Sequence, residues 1–322
     1  MSHPTPIITL KNISKRFGKT QALENINLEI PEGVVFALLG ENGAGKSTMI
    51  RILTGFLNPD AGESSVLGRS SKSDALAIRR QIGYVSDSPA LYDWMTVGEI
   101  GWFTSGFYDD SFLERFKKSV TEFDLPTQTK IKNLSKGQRG KVSLALATAH
   151  DPKLLILDEP TSGLDPMVRR QFLESMVDRT ATGRSVLLSS HHINEVERVA
   201  DWIGILHEGK LKLVKPLQEI RDTMWIVTLT LSDASLSHPK PPGTILSKSQ
   251  HGRQIRWVIQ NSPLDGLREF KSIKGVSDVD VTPATLEEVF IAICDQRTSK
   301  PEPITEKIGS SKKRTLAVSL ES

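Results

Sequence analysis

The run Gly40-Glu41-Asn42-Gly43-Ala44-Gly45-Lys46-Ser47-Thr48 decides the fold of this 322-residue chain. It fits the pattern G-x-x-x-x-G-K-[ST] at every constrained position, with the apolar run Val34 to Leu39 before it and a predicted helix, Ser47 to Thr54, after it. Glycines let successive backbone N–H groups point inward, and a helix start adds the positive end of its dipole. The run therefore predicts a phosphate-binding loop, and we expect all of its residues to lie at the phosphates. Lys46 should reach the β- and γ-phosphates of a nucleotide, and Ser47 should bind Mg²⁺.

A second apolar run ends in two carboxylates. Leu154 to Leu157 contains no polar residue, and Asp158 and Glu159 follow it directly. A buried strand delivers such residues to the sheet edge at which α/β proteins bind ligands. Because phosphoryl transfer depends on positioning and on charge neutralisation, we expect Asp158 to hold Mg²⁺ and Glu159 to orient or deprotonate the attacking water.

The sequence changes in character along its length. Residues 1 to about 218 alternate apolar runs with helix-like segments, which predicts an α/β domain with a largely parallel sheet and a helical insertion at about 89 to 133. Residues 222 to 295 predict a small α+β domain, and the polar residues 296 to 322 predict a disordered tail. The predicted strands are Ile7 to Ile13, Leu23 to Ile30, Val34 to Leu39, Ile82 to Val85, Leu154 to Leu157, Ser185 to Ser189, Trp202 to His207, Trp225 to Leu231, Gln254 to Ile259 and Val276 to Val281. Helices are predicted over Leu264 to Phe270 and Leu286 to Cys294.

Composition and charge describe an ordinary globular chain. Hydrophobic residues make up 38% and charged residues 25%, and no apolar run approaches the roughly 20 residues of a membrane-spanning helix. We expect no secretory signal, and a single cysteine, Cys294, leaves no internal disulfide. The net charge of +3 is too small to argue for nucleic acid. These features predict a cytoplasmic protein.

Further motifs occur in a fixed order around the loop and the carboxylates. Leu134-Ser135-Lys136-Gly137-Gln138 lies between them, Pro160-Thr161-Ser162-Gly163-Leu164-Asp165 and Leu187-Leu188-Ser189-Ser190-His191 follow, and Lys15-Arg16-Phe17-Gly18 comes first. In this order they resemble the signature sequence, D-loop, switch-histidine region and adenine-stacking aromatic of ATP-binding cassette (ABC) ATPases. The resemblance covers about the first 218 residues. It implies a P-loop NTPase fold with ATP and Mg²⁺ as cofactors.

The signature sequence implies an active site shared between two subunits. By the resemblance, the Ser135 hydroxyl and the Gly137 N–H would bind the γ-phosphate held by the opposite subunit, with Gln138 in the same element and Asp165 in the D-loop beside the nucleotide. The residues themselves also predict a structural role, because Ser135 precedes an apolar-periodic segment and can cap its helix.

Two predicted site residues, His191 and Phe17, have alternative interpretations. The resemblance implies a histidine that contacts the γ-phosphate, and because His192 follows His191 the sequence leaves a choice of two. Because the strand Ser185 to Ser189 ends just before it, His191 should lie nearer the ligand edge of the sheet. Phe17 occupies the place of the aromatic that stacks on adenine, although burial in the core is the commoner fate of a phenylalanine.

Two residues depart from the family pattern. Asp87 stands where the family usually has a glutamine that contacts Mg²⁺ and the attacking water, and Lys136 stands where glycine is commoner. Aspartate is shorter and negatively charged, so it could bind Mg²⁺ more strongly, act through water, or be an idle loop residue. We expect retained contact with the metal, and an outward-pointing Lys136.

The resemblance implies the ATP-hydrolysing subunit of an ABC transporter, and the closing element Pro283 to Phe290 resembles bacterial exporter ATPases. The expected partners are an integral-membrane permease and a second ATPase subunit, identical or related, on the cytoplasmic face of the inner membrane. The insertion would carry the docking surface, with the aromatic residues Tyr92, Trp94, Trp102, Phe103 and Phe107, and the alternative is that most of these residues form the insertion's own small core. The alternative function is that of a non-transport ABC ATPase acting on ribosomes or DNA. One cassette without a long coiled coil favours transport, and no nucleic acid partner is expected.

Overall fold

The computed structural model describes residues 6–161, 164–233, 241–262, 266–267 and 269–295. The strands in these ranges are β1 (Ile8–Phe17), β2 (Thr20–Ile30), β3 (Val35–Leu39), β4 (Ala61–Val66), β5 (Arg69–Ser70), β6 (Ile82–Val85), β7 (Leu154–Asp158), β8 (Ser185–Ser190), β9 (Trp202–His207), β10 (Lys210–Pro216), β11 (Met224–Leu231), β12 (Thr244–His251), β13 (Gln254–Gln260) and β14 (Val276–Pro283). The helices are α1 (Lys46–Leu53), α2 (Ala75–Arg79), α3 (Val97–Ser105), α4 (Phe112–Glu122), α5 (Lys136–Thr148), α6 (Pro166–Ala181), α7 (Ile193–Val196), α8 (Leu217–Thr223) and α9 (Leu286–Cys294), with short 3₁₀ helices at Ile131–Asn133 and Glu269–Ser272.

A six-stranded sheet in the order β10-β9-β3-β8-β7-β6 positions the predicted site. The strands from β9 to β6 pair in parallel, and β10 is antiparallel to β9. Every residue of β3, β7 and β8 is buried, as their apolar sequences predict for strands covered on both faces. Alternate residues pack into separate cores on the two faces, for example Ala37 and Leu155 on one and Phe36 and Ile156 on the other. The carboxyl ends of these strands meet at one edge, where the motif residues lie.

A second, antiparallel sheet in the order β2-β1-β4-β5 covers one of these cores. The predictions for β1 and β2 are confirmed, whereas β4, β5 and β10 were missed. The sequence of β4 is AGESSV, which lacks the apolar alternation that identifies a half-buried strand. Its pairing with β1, rather than its own side chains, makes it a strand.

The region predicted as an insertion contains α3, α4 and a 3₁₀ helix. These elements share a core with α5 that is built around Phe112, Phe116 and Ile131. The packing of α3 on α4 is close, because a Cβ at Gly101 would lie 2.1 Å from the Phe116 ring. A reciprocal capping box of Thr96 and Glu99 begins α3. The segment is therefore helical, as predicted, and its domain limits remain a prediction.

The C-terminal sheet, β12-β13-β11-β14, is antiparallel. One face packs its own core around Trp257, while Ile226 and Val258 on the other face join the core of the central sheet together with α9. The predicted strands β11, β13 and β14 and the closing helix are confirmed, and the polar strand β12 was missed. The helix predicted over Leu264 to Phe270 lies partly outside the described residues, and so does all of the tail predicted over 296 to 322.

Candidate active site

The phosphate-binding loop connects β3 to α1 and passes close to neighbouring backbone. Gly43 and Gly45 have φ angles of 86° and 112°, in the left-handed region that favours glycine. A Cβ at Gly45 would lie 2.5 Å from the Ala22 carbonyl oxygen, and one at Gly40 would lie 2.5 Å from the Leu206 carbonyl oxygen. The loop can adopt this path only with glycine at these positions.

Lys46, the first residue of α1, is buried beneath this loop. Its Nζ donates to the carbonyl oxygens of Gly40 at 2.6 Å and Glu41 at 3.2 Å. It also forms an ion pair with Glu159 Oε1 at 2.9 Å, with side-chain exposures of 5% and 13%. A buried ammonium held by one carboxylate is a preformed site for an anion, because an incoming phosphate can replace that carboxylate.

The two carboxylates at the end of β7 have different surroundings. Asp158 is buried and accepts a hydrogen bond from Ser189 Oγ at 2.7 Å. Glu159 has a φ of 49°, and its N–H donates to Ser189 Oγ at 3.0 Å. A glutamate in the left-handed region costs roughly 1–2 kcal/mol, and such strain is found most often at functional sites. The turn places the Glu159 side chain against Lys46, whereas the Asp158 side chain contacts Ser189.

The structure places His191, and not His192, beside the catalytic candidate. His191 Nδ1 lies 2.7 Å from Glu159 Oε2, so one carboxylate bridges His191 and Lys46. The His192 ring packs on that of His191, with centroids 3.9 Å apart. This arrangement favours the assignment of His191 as the functional histidine.

The element Leu134–Gln138 begins α5, and Ser135 caps it as predicted. Ser135 Oγ accepts from the Gln138 N–H at 3.2 Å, and the Ser135 N–H donates to Gln138 Oε1 at 3.0 Å. A Cβ at Gly137 would lie 3.8 Å from Asp165 Oδ2 of the same chain. Asp165 in turn caps α6 through the N–H groups of Met167 and Val168. The contacts of these residues to nucleotide remain a prediction.

Asp87 follows β6 and is exposed. It lines a cavity of about 220 Å³ together with Lys136 and Arg139 from the first turn of α5. Among the described contacts, none joins Asp87 to Ser47 or Asp158. Its predicted role as a metal contact is therefore neither supported nor contradicted by the geometry.

Phe17 is not a core residue, so that alternative is wrong. It ends β1 with 49% of its surface exposed, and Lys15 Nζ lies 5.6 Å from the centre of its ring. An exposed ring is available for stacking on a base, and a neighbouring cation adds to the attraction that such a platform exerts on a nucleotide.

Proteins of known function resemble this chain in sequence and in fold. The model of the ABC transporter family matches residues 23–162. The lantibiotic transport ATP-binding protein SrtF of Streptococcus pyogenes is 35% identical over 221 residues, which cover 65% of this chain and 90% of that protein. The chain belongs to the ABC transporter family. The Nod factor export ATP-binding protein I of Neorhizobium galegae is 30% identical over 93% of the chain and 88% of its own length. A solved dimeric ATP-binding cassette in a post-hydrolysis state with ADP and Pi is 26% identical, with a TM-score of 0.60, over 65% of this chain and 98% of its own.

The expected resemblance to ABC exporter ATPases and the P-loop fold are thus confirmed. As an ABC ATPase, this protein binds ATP and couples its hydrolysis to transport. Its relatives with solved structures include dimers. Within the described ranges, no helix has both the length and the hydrophobicity needed to cross a bilayer.

The residues present also fit Mg²⁺. In the part of the chain that the structure describes, no group of three or more His, Cys, Asp or Glu side chains could hold a metal alone. Mg²⁺ in nucleotide sites is held by one or two protein groups plus phosphates, so the buried Asp158 and the Ser47 hydroxyl suffice.

Sequence reasoning missed Ser189 and Glu195 as parts of the site. Ser189 lies inside the switch-histidine motif, and its hydroxyl binds both Asp158 and the Glu159 backbone. Its position two residues before His191 was the available signal. Glu195 lies outside every sequence motif named above.

Proposed function

We propose that this ABC ATPase energises export through a separate integral-membrane permease, and that it works as a dimer on the cytoplasmic face of the inner membrane. The bridge Lys46–Glu159–His191 carries the proposal, because it joins a phosphate-binding cation, a base and a histidine at one point. Similarity to a lantibiotic transport protein and to a Nod factor export protein supports transport, and the second of these also supports its outward direction.

The chain's own groups divide the chemistry as follows. When ATP binds, Lys46 separates from Glu159 and pairs with the phosphates. The freed Glu159 carboxylate then accepts a proton from the attacking water. His191 then remains the partner that keeps Glu159 oriented. Mg²⁺, held by Ser47 and Asp158, would neutralise charge on the phosphates. The glycine loop supplies N–H donors to the phosphates.

A second subunit would complete the site. Ser135 and Gly137 lie at the start of α5, and the Ser135 side chain and N–H are engaged only with Gln138 among the described contacts. A helix start presents N–H groups to an anion, so this surface fits a phosphate held by another copy. The similarity to a dimeric cassette bound to ADP and Pi supports the pairing. The second subunit is either identical or a related ATPase.

The permease would dock on an aromatic surface of the insertion, formed by Tyr92, Trp94, Trp102, Phe103 and Phe107. These side chains are between 38% and 69% exposed, so they do not form the insertion's own core. The rings of Tyr92 and Phe103 meet edge-on with centroids 5.7 Å apart, and those of Phe103 and Phe107 with centroids 5.6 Å apart. The Trp94 ring is tilted against that of Tyr92, with centroids 6.1 Å apart. Aromatic residues are enriched at protein interfaces, and a contiguous exposed patch of them indicates a binding surface. The occupant we propose is a cytoplasmic segment of the permease.

Copurification with candidate permeases tests the proposal. The double variant Trp94→Ser/Trp102→Ser should keep the ATPase activity of the free subunit and lose association with the permease. The variant Leu76→Ser is the matched control, because Leu76 is 60% exposed outside this surface. Undiminished association of the double variant would refute the docking surface. A stable complex with ribosomes or DNA, and none with a permease, would refute the transport assignment.

A further inference from the structure

A further carboxylate, that of Glu195, lies four residues after His191 and is partly buried. Glu195, on α7, accepts a hydrogen bond from Thr161 Oγ1 at 2.8 Å. Its other oxygen pairs with Arg169 Nη1, also at 2.8 Å. Only 13% of the Glu195 side chain and 1% of Thr161 are exposed. The Arg169 side chain is 30% exposed, so its pair with Glu195 is partly buried, and hydrogen bonds to an ionised carboxylate are shorter and stronger than those between neutral groups.

These contacts hold both ends of the loop that follows Glu159. Thr161 lies at its start, two residues after Glu159. At its end, Arg169 Nη2 donates to the Leu164 carbonyl oxygen at 3.0 Å, next to Asp165. Glu195 therefore contacts Thr161 directly and Leu164 through Arg169. Residues 162 and 163 lie outside the described residues and play no part in the argument.

Glu195 also anchors the element that follows His191. The helix α7 has four residues, a length at which a helix has no stability of its own. It is held in place by the fully buried Val196, which packs in the core of the central sheet, and by Glu195. His191 lies just before this helix and touches Glu159. Thus one carboxylate connects the histidine segment to the loop after the catalytic glutamate.

We propose that Glu195 is a positioning residue for ATP hydrolysis. It keeps Thr161 and, through Arg169, Leu164 in a fixed position relative to the His191 segment, so that the contact between Glu159 and His191 and the Asp165 cap of α6 are maintained when two subunits close. The inference rests on the proposed function of Glu159 and of the dimer. A displacement of about 1 Å at such a site can lower turnover roughly 100-fold without weakening substrate binding.

The variants Glu195→Gln and Thr161→Val test this role. Glu195 now accepts hydrogen bonds from two donors, Thr161 and Arg169. A glutamine amide has one oxygen and one NH₂ group, so one of these donors would face another donor. Thr161→Val keeps the shape and removes only the hydroxyl. We expect kcat to fall about tenfold or more in Glu195→Gln and less in Thr161→Val, with the Kd for ATP changed less than about twofold. The control is Glu174→Gln, because Glu174 forms an exposed 2.7 Å pair with Arg170 on α6 and should leave both constants unchanged.

The double variant Thr161→Val/Glu195→Gln separates a shared network from independent effects. Residues that act through one contact lose activity non-additively, so the double variant should be no slower than Glu195→Gln. Additive losses, or a parallel fall of kcat and ATP affinity, would overturn the proposal by showing a general structural defect. A normal kcat in Thr161→Val would also overturn it, even where Glu195→Gln fails to fold. Absence of turnover in the unaltered protein would instead refute the proposed function itself.

Discussion

Glu159→Gln should tighten ATP binding while it abolishes turnover. The Lys46–Glu159 ion pair spans 2.9 Å and must open before Lys46 can contact phosphate. At this distance two unit charges attract by about 1.4 kcal/mol at the permittivity of water and by about 6 kcal/mol at an effective permittivity of 20. Desolvation offsets most of that attraction, which leaves about 1–2 kcal/mol of net competition with the incoming phosphate. Because 1.4 kcal/mol is a factor of ten, the Kd for ATP should fall about tenfold.

Turnover should respond in the opposite direction. Glutamine keeps the size of Glu159 and cannot accept a proton from water, so kcat should fall by roughly 10²–10⁴. Calorimetric titration with Mg·ATP gives the Kd, and phosphate release gives the kcat. Glu174→Gln, which removes an exposed carboxylate on the same chain, is the control. A full rate of hydrolysis in Glu159→Gln would remove Glu159 from its role, and a weaker affinity for ATP would refute the competition with Lys46.

Two other predictions concern residues at the edge of the site. Phe17→Ala should leave folding intact, because the ring is exposed, and should weaken ATP binding by about 1–3 kcal/mol, the value of one base–aromatic stack; an unchanged Kd in a binding titration would contradict the stacking role. Asp87→Asn should raise the Mg²⁺ concentration required for half-maximal ATPase activity, because the neutral amide is a weaker ligand for a hard cation; unchanged activity and Mg²⁺ dependence would make Asp87 an idle loop residue.

The sequence predicted the central sheet because its strands are continuously apolar. Leu154 to Leu157 and Val34 to Leu39 need no knowledge of their neighbours to be recognised as buried strands. By contrast, β4 has three polar residues of six and β12 is mostly polar, and both become strands only through pairing with β1 and β13. Such strands depend on tertiary context, which a single sequence does not display.

The site shows the same division. The loop from Gly40 to Thr48 and the pair Asp158–Glu159 follow from local pattern and from their place at strand ends. The sequence does not show whether His191 or His192 points into the site. The structure shows that it is His191, because its Nδ1 lies 2.7 Å from Glu159 Oε2. The sequence could not identify Glu195 as part of the site. Its partners Thr161 and Arg169 are 34 and 26 positions away, and no sequence pattern links the three residues.

The central claim is that each active site is built from two subunits, and a mixing experiment tests it most directly. Ser135→Arg damages the signature half of the site and Glu159→Gln the hydrolytic half, so each variant alone should bind ATP and turn over poorly. When the two are combined before ATP is added, mixed dimers contain one site with an intact Glu159 from one subunit and an intact Ser135 from the other. The rate of phosphate release by the mixture should exceed the sum of the rates of the two separate variants. A mixture no faster than that sum, or full activity of Ser135→Arg alone, would contradict the claim.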